Sequence, residues 1–85
     1  MYIVYIIQSL KDESYYIGQT ENINKRIARH NAGKNNYTKK KLPWKLVYTE
    51  EYNSRAEAMA RERGIKNKKR KSYIEWLINT KNNKK

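Results

Sequence analysis

The sequence predicts an α+β fold, a three-stranded antiparallel sheet flanked by helices in the order β-β-α-β-α-α. Two runs of β-branched and aromatic residues flank a polar turn, and a third follows the single proline. Serine–glutamate pairs three residues apart mark helix starts further along. The 85 residues leave room for one small domain, which we assign to residues 1–79. Residues 80–85 form a basic tail that we expect to be disordered.

The first two strands are predicted at residues 2–7 and 15–17, with a turn at 9–14 between them and Gly18 ending the second. Their register is open at this stage. Tyr5 and Tyr16 share a face only if the numbers of paired residues sum to an odd value, because opposed residues point the same way. The third strand is predicted at residues 44–52, where Pro43 can precede it without breaking the ladder.

The first helix is predicted at residues 20–31, capped by Thr20 or Asn22 and ended by Gly33. A basic loop follows up to Pro43. Capping boxes at Ser54 and Ser72 predict the two later helices. The apolar residues of these helices are expected in the core: Ile23, Ile27, Met59, Ile65, Trp76 and Leu77.

A net charge of +12 on so small a chain attracts polyanions. Nucleic acid is therefore the predicted partner, against the alternatives of a merely soluble basic protein or a ribosome-associated one. The absence of cysteine excludes disulfides, cysteine-based zinc sites and thiol catalysis, and is consistent with a cytoplasmic location. No apolar run is long enough to span a bilayer. An anionic membrane surface is a third possible partner, but binding to it would need a basic amphipathic helix with a clear apolar face, and no membrane partner is expected.

Arg26 and His30 lie four residues apart and so share one helix face. An arginine fork matches phosphate oxygens, and His30, the only histidine, can move or position a proton. The alternative is an ordinary basic helix face, with His30 bonded to a backbone carbonyl. Both interpretations are open from the residues alone.

Glu62 falls on the apolar stripe of its helix, where a carboxylate must be paired, protonated or metal-bound. A salt bridge to Arg55, Lys66 or a distant arginine is one interpretation. A single carboxylate can also hold Mg²⁺, which takes the rest of its shell from water and substrate phosphate.

Tyr5 and Tyr16 on adjacent strands can reach one site, and Gly18 lets a ligand approach the backbone. These tyrosines are equally good strand and core residues. Exposed basic and aromatic residues are predicted to contact nucleic acid, although a solvated surface explains them equally well. They are Tyr37, Lys39, Lys40, Lys41, Lys68, Lys69 and Arg70.

A glutamate, an arginine and a tyrosine or histidine suffice chemically for metal-assisted phosphodiester hydrolysis. In their order and spacing the motifs resemble the GIY-YIG nuclease superfamily, especially its small stand-alone bacterial members. Tyr5 and Tyr16, eleven residues apart, stand where the two motif tyrosines fall. The matching segments are Val4-Tyr5-Ile6, Tyr16-Ile17-Gly18, Gln19-Thr20, Asn22-Ile23, Arg26, His30-Asn31, Pro43, Leu46-Val47-Tyr48, Ala60-Arg61-Glu62 and Ile65-Lys66.

The resemblance implies a divalent-metal phosphodiesterase using Mg²⁺ or Mn²⁺. It implies that Glu62 ligates the metal, that Arg26 stabilises the phosphate, and that Tyr5 and Tyr16 line the site, one of them activating or orienting water. His30 would match a histidine found on this helix in several members. The first motif departs from the family in lacking its glycine and its isoleucine before the tyrosine.

Two classes of function remain at this stage. The first is a metal-dependent endonuclease acting on DNA, with repair or recombination as the expected setting. The second is a catalytically weak or inactive nucleic-acid-binding module, or an accessory subunit of a DNA-processing complex. Selectivity is expected to come from the chain's own loops, its basic tail or a partner protein, in a monomer or weak oligomer.

Overall fold

The computed structural model describes residues 1–82 and contains the predicted elements in the predicted order. A single 3-10 turn at Lys39–Lys41 interrupts the loop before the third strand. The elements are β1 (Tyr2–Ser9), β2 (Tyr15–Thr20), α1 (Ile23–Asn31), β3 (Trp44–Tyr52), α2 (Arg55–Lys68) and α3 (Lys71–Asn82). The α+β fold class predicted from the sequence is confirmed.

The three strands form one antiparallel sheet in the order β2-β1-β3. In the β1–β2 pair Tyr5 lies opposite Gly18, so the numbers of paired residues sum to an odd value. Tyr5 and Tyr16 therefore project from the same face of the sheet. Between β1 and β3 the register shifts after Ile6.

The sheet buries a different set of side chains on each face because neighbouring residues of β1 alternate in direction. One cluster joins the sheet to α2 and α3; it contains Val4, Ile6, Ile17, Tyr48, Ala58, Ile65, Ile74 and Leu77. The other lies beneath α1; it contains Tyr5, Ile7 and Trp44, packed against the partly buried Tyr16, Ile23, Ile27 and Leu42. Tyr5 and Tyr16 belong to this second face, as does α1, which carries Arg26 and His30. Glu62 lies on α2, which packs on the first cluster.

Two of the expected core residues are exposed instead. Ala58 and Ile65, seven residues apart, form the buried line of α2, and Met59 is rotated by about 100° from Ala58. In α3 the buried residues are Ile74 and Leu77, which turns Trp76 towards solvent. A shift of one residue around the helix axis decides whether such a side chain is buried, and the sequence pattern does not resolve it.

The helix boundaries confirm two of the three predicted caps. Asn22 accepts a hydrogen bond from the Lys25 amide, and Ser54 forms the capping box of α2 with Glu57. Gly33 follows α1 with φ of 75°, a left-handed conformation that suits glycine.

The third predicted cap is wrong. Lys69 adopts a left-handed conformation after α2, and α3 begins at Lys71, so Ser72 lies inside the first turn. The amides of Tyr73 and Ile74 bond to the Arg70 carbonyl instead.

α3 also extends to Asn82, which places the start of the predicted tail within a helix. There the Lys81 ammonium donates to the carbonyl and hydroxyl oxygens of Thr49. The rest of that tail, residues 83–85, lies outside the described residues. None of the helices within residues 1–82 has the length and apolar character needed to cross a bilayer.

Candidate active site

The Tyr5 ring crosses the backbone of the neighbouring strand. Tyr5 lies mid-strand in β1 with an exposed fraction of 1%, and a Cβ atom built on Gly18 would stand 2.6 Å from its hydroxyl oxygen. Real Cβ atoms do not come so close to another heavy atom. Gly18 thus makes room for Tyr5, and the approach to the backbone that we expected a ligand to use is filled by this ring.

His30 connects Tyr5 to the loop after α1. Its Nε2 atom lies 2.9 Å from the Tyr5 hydroxyl oxygen, and its Nδ1 atom lies 2.9 Å from the Thr38 hydroxyl oxygen. These partners replace the backbone carbonyl that we had considered. Burial lowers the pKa of His30 below its usual 6.5, and the charges of Arg26 and Arg29 lower it further. The imidazole is therefore neutral at pH 7, with one nitrogen able to accept a proton.

Tyr16 lies on the solvent side of this pair and is partly buried. Its ring centroid lies 5.2 Å from that of His30 and 6.5 Å from that of Tyr5. On its other side it contacts the edges of Tyr37 and Trp44, at 6.1 Å and 6.4 Å between centroids. Tyr16 thus joins the buried polar pair to an aromatic surface that continues outward to Tyr37, whose exposed fraction is 82%.

The charges of Arg26 and Glu62 also act on the Tyr5 hydroxyl. Burial and the neighbouring Tyr16 raise the pKa of Tyr5 well above its ordinary value of 10; the Arg26 guanidinium opposes that rise and the Glu62 carboxylate adds to it. Arg26 projects from α1 and Glu62 from α2, two helices that pack on different clusters of the sheet. We call the five residues Tyr5, Tyr16, Arg26, His30 and Glu62 the Tyr5 cluster.

Glu62 is held by one flexible cation. The Lys66 ammonium donates to its Oε2 atom over 2.7 Å, one turn further along α2. The salt bridge that the sequence allowed is thus present, and Lys66 was among its predicted partners. The Glu62 side chain retains an exposed fraction of 20%, so the carboxylate is still accessible.

A divalent cation is chemically compatible with this carboxylate. Within residues 1–82 no set of three His, Cys, Asp or Glu residues is arranged to hold a metal ion, so Glu62 would be a lone protein ligand. Mg²⁺ accepts such sites because water and substrate phosphate complete its oxygen shell. The ammonium group on Oε2 shows that a cation is accommodated there.

Two basic grooves adjoin the Tyr5 cluster. One has a volume of about 550 Å³ and runs past Tyr16, Tyr37 and Trp44, with Lys41 and Lys66 along it. The other, of about 610 Å³, follows α1 past Arg26 and Arg29. Among the described residues, no aspartate or glutamate lines either groove. Both surfaces therefore suit an anionic ligand.

The predicted nucleic-acid contacts divide between two places. Lys39, Lys40 and Lys41 are exposed on the 3-10 turn, and only Lys41 lines the groove beside Tyr16. Its ammonium also lies 3.3 Å from Asp12.

Lys68, Lys69 and Arg70 lie at the α2–α3 junction instead. Lys68 and Arg70 line a separate groove with Trp76, and the Lys68 ammonium stands 5.3 Å from the centre of the Tyr73 ring. The basic run therefore forms a second surface, apart from the groove beside Tyr16.

The sequence did not reveal every residue that builds this region. Thr38 fixes the second nitrogen of His30, but it stands in a loop without periodic pattern. Asn31 was noted only as part of the resemblance, yet its side chain bonds both the amide and the carbonyl of Trp44. A polar residue at the end of an amphipathic helix was the only signal available for it.

Comparison with known proteins agrees with the motifs. The family model described as the GIY-YIG catalytic domain matches residues 1–83. A UPF0213 protein of Staphylococcus haemolyticus is 47% identical over 75 residues, covering 87% of this chain and 90% of that protein. A UPF0213 protein of Streptococcus pneumoniae is 43% identical over 75 residues, covering 87% of this chain and 75% of the relative.

A solved structure is also similar over almost the whole chain. The solution NMR structure of a UPF0213 protein from Bacillus halodurans shares 35% identity with a TM-score of 0.61, covering 99% of this chain and 89% of that one. GIY-YIG domains form a nuclease superfamily whose members generally use divalent metal ions. By its sequence match and its relatives, this chain belongs to the GIY-YIG family, among the small UPF0213 proteins.

Proposed function

We propose that this chain is a divalent-metal-dependent endonuclease that hydrolyses phosphodiester bonds in DNA. The observation that most supports it is the hydrogen bond between the Tyr5 hydroxyl and the neutral imidazole of His30. The charges of Arg26 and Glu62 act on the pKa of the same hydroxyl. An acid–base pair, a phosphate-binding cation and a hard anionic ligand are the parts that phosphodiester hydrolysis requires.

Arg26 binds and steadies the scissile phosphate. It lies on α1 and lines a groove together with Lys25, Arg29 and Lys34, and its charge lowers the pKa of Tyr5. Its planar fork can donate two parallel hydrogen bonds to phosphate oxygens, and its charge stabilises the extra negative charge of the transition state. Lysine would supply the charge without the fork.

Tyr5 and His30 handle the proton of the attacking water. Burial holds the Tyr5 phenol protonated, so Tyr5 is a poor base alone. With Nδ1–H donating to Thr38, Nε2 accepts the phenol proton while the phenol oxygen takes a proton from water. The water oxygen then bonds to phosphorus, and the leaving sugar oxygen departs and is protonated by solvent. Tyr16, nearer the groove, orients the water and substrate.

Glu62 would hold the divalent ion. When bound, Mg²⁺ or Mn²⁺ would neutralise phosphate charge and polarise the phosphorus centre. The part of Glu62 is to supply a carboxylate oxygen that can be reached from solvent.

DNA binding is assigned to the basic and aromatic surfaces on either side of this cluster. Tyr37 offers an exposed ring for stacking, and Lys41 offers a charge in the same groove. Lys39 and Lys40 extend that surface, while Lys68, Lys69 and Arg70 supply the second. We place the activity in the cytoplasm, in repair or recombination, in a monomer or weak oligomer with a partner protein refining selectivity.

The test is a nuclease assay on labelled branched, single-stranded and duplex DNA with Mg²⁺ or Mn²⁺. We expect nicking that falls by about 10²-fold or more in Glu62→Gln and Arg26→Ala, because each removes charge stabilisation of the transition state. Glu51→Gln and Arg63→Ala, which change exposed residues, serve as matched controls and should retain activity.

Two outcomes would redirect the proposal. DNA that is bound but left uncut in both metals would indicate a binding module or an accessory subunit. Cleavage that survives Glu62→Gln would leave the endonuclease in place but remove Glu62 as metal ligand.

A further inference from the structure

Lys66 adjoins the proposed site but has no role in the proposed chemistry. Its ammonium bonds the carboxylate that we assign to the metal, and its side chain, with an exposed fraction of 48%, also lines the groove beside Tyr16. Lys66 thus stands between the proposed metal ligand and the proposed path of the DNA.

The groove contains a second lysine with a different partner. Lys41 bonds Asp12, whose carboxylate also accepts hydrogen bonds from the amide and hydroxyl of Ser14. The side chains of this pair have exposed fractions of 46% and 44%, so Lys41 resembles Lys66 in charge and accessibility.

We propose that Lys66 couples metal binding to DNA binding at this site. Without ligands its ammonium bonds the Glu62 Oε2 atom. A divalent ion bound at that oxygen would repel the ammonium, which would then turn into the groove and could bind phosphate. Conversely, a phosphate in the groove attracts the ammonium away from Glu62 and leaves the carboxylate free. This inference rests on the proposed function and concerns the regulation of metal and DNA binding at the same site.

Such a coupling is reciprocal. If DNA raises the affinity for the metal by some factor, the metal must raise the affinity for DNA by the same factor. Exposed ion pairs four residues apart on a helix are weak, which keeps the contact easy to exchange. We therefore expect a modest coupling of about two- to five-fold, near the lower end of measured allosteric factors.

The experiment measures Mn²⁺ binding by electron paramagnetic resonance, with and without a phosphorothioate oligonucleotide that resists cleavage. The proteins are wild type, Lys66→Met, Lys41→Met and Glu62→Gln. Methionine keeps the aliphatic stem and forms helix well, so Lys66→Met should fold. The oligonucleotide also binds Mn²⁺ by itself. The Mn²⁺ bound in the presence of Glu62→Gln, which lacks the proposed ligand, measures this background.

We expect the oligonucleotide to tighten Mn²⁺ binding to wild type by about two- to five-fold. Lys66→Met should bind Mn²⁺ more tightly than wild type without DNA, and should gain less when DNA is added. Lys41→Met should bind the oligonucleotide more weakly than wild type does; once the oligonucleotide is saturating, it should show the same gain in Mn²⁺ affinity, because the Lys41 ammonium bonds Asp12 and not Glu62. The same factor should appear when the titration is reversed and DNA affinity is measured with and without Mn²⁺.

The coupling is overturned if Lys66→Met matches wild type both with and without the oligonucleotide while Glu62→Gln loses Mn²⁺. In that case the metal assignment of the proposed function survives and the Glu62–Lys66 contact is a surface ion pair only. If Glu62→Gln binds Mn²⁺ as wild type does, or wild type binds none, the metal assignment and the coupling fail together.

Discussion

Two carboxylates of this protein, Glu50 and Glu62, are held in opposite ways. Glu50 is bonded by Arg61 of α2, and Glu62 is the next residue of that helix. Glu50, on β3, receives the Nε and Nη2 atoms of Arg61 at 2.8 Å and 2.9 Å, and both Tyr48 and Tyr52 donate to it as well. Glu62, the residue after Arg61, receives one lysine ammonium. We call Glu50 and its three partners the Glu50 cluster.

The difference separates a carboxylate committed to stability from one open to a ligand. The Glu50 cluster is closed because a rigid fork and two phenols already occupy both carboxylate oxygens, and the Glu50 side chain has an exposed fraction of 19%. The Tyr5 cluster leaves its carboxylate with a flexible partner that water can replace. Burial alone therefore does not distinguish these two carboxylates; the number and rigidity of their hydrogen bonds do.

The largest effect expected from this comparison is on stability. Glu50→Gln should lower the free energy of unfolding by about 2–3 kcal/mol, because Arg61 is left partly buried with its charge unpaired. Glu62→Gln should change it by less than about 0.5 kcal/mol, since a helix surface pair contributes little. Urea denaturation monitored by circular dichroism measures both.

Equal stability of the two variants would show that the two carboxylates do not differ in their contribution to the fold. If Glu62→Gln were the more destabilising variant, the Glu62–Lys66 ion pair would be structural. Arg61→Met provides a second variant of the closed cluster and should lose stability as Glu50→Gln does.

A smaller effect is expected from acid. Burial on its own would raise the pKa of Glu50, but the hydrogen bonds from Arg61, Tyr48 and Tyr52 outweigh it and lower that pKa to about 2, from 4.5. The unfolded chain thus takes up this proton first as the pH falls. The stability that Glu50 contributes is complete above pH 4.5 and is lost as the pH falls towards 2.

Comparing wild type with Glu50→Gln isolates this contribution. The stability difference between the two, about 2 kcal/mol or more at pH 6, should shrink below about 1 kcal/mol near pH 2.5. Urea curves at both pH values measure it. A difference that stays constant across this range would show that Glu50 titrates normally in the folded protein.

The sequence was sufficient for the parts of the site that depend on local pattern. Strand alternation placed Tyr5 and Tyr16 on neighbouring strands, and helical spacing placed Arg26 beside His30. Their shared face still depended on a register that no residue specifies alone, and the structure supplied it.

The parts that failed are those decided by packing between distant segments. Glu50 and Arg61 are eleven residues apart on different elements, so neither strand nor helix periodicity pairs them. Trp76 and Met59 were assigned to the core because they are apolar, but both are exposed. The residues of these helices that are buried against the sheet are Ala58, Ile65, Ile74 and Leu77, with Tyr73 and Ile78 partly buried beside them. Ser72 matched a capping pattern, and the tight connection after α2 left it inside the helix.

The smallest effect expected here tests the geometry of the Tyr5 cluster alone. Gly18→Ala places a methyl group where the Tyr5 hydroxyl lies, so the ring must shift away from His30. We expect a loss of about 1 kcal/mol in stability from this overpacking, and a larger proportional loss of nuclease activity. Gly64→Ala is the matched control: no atom lies within 4 Å of its added Cβ, and α2 should gain about 0.5–1 kcal/mol. If both substitutions stabilise the protein, the position of the Tyr5 ring does not depend on Gly18, and His30 and Thr38 hold the Tyr5 cluster instead.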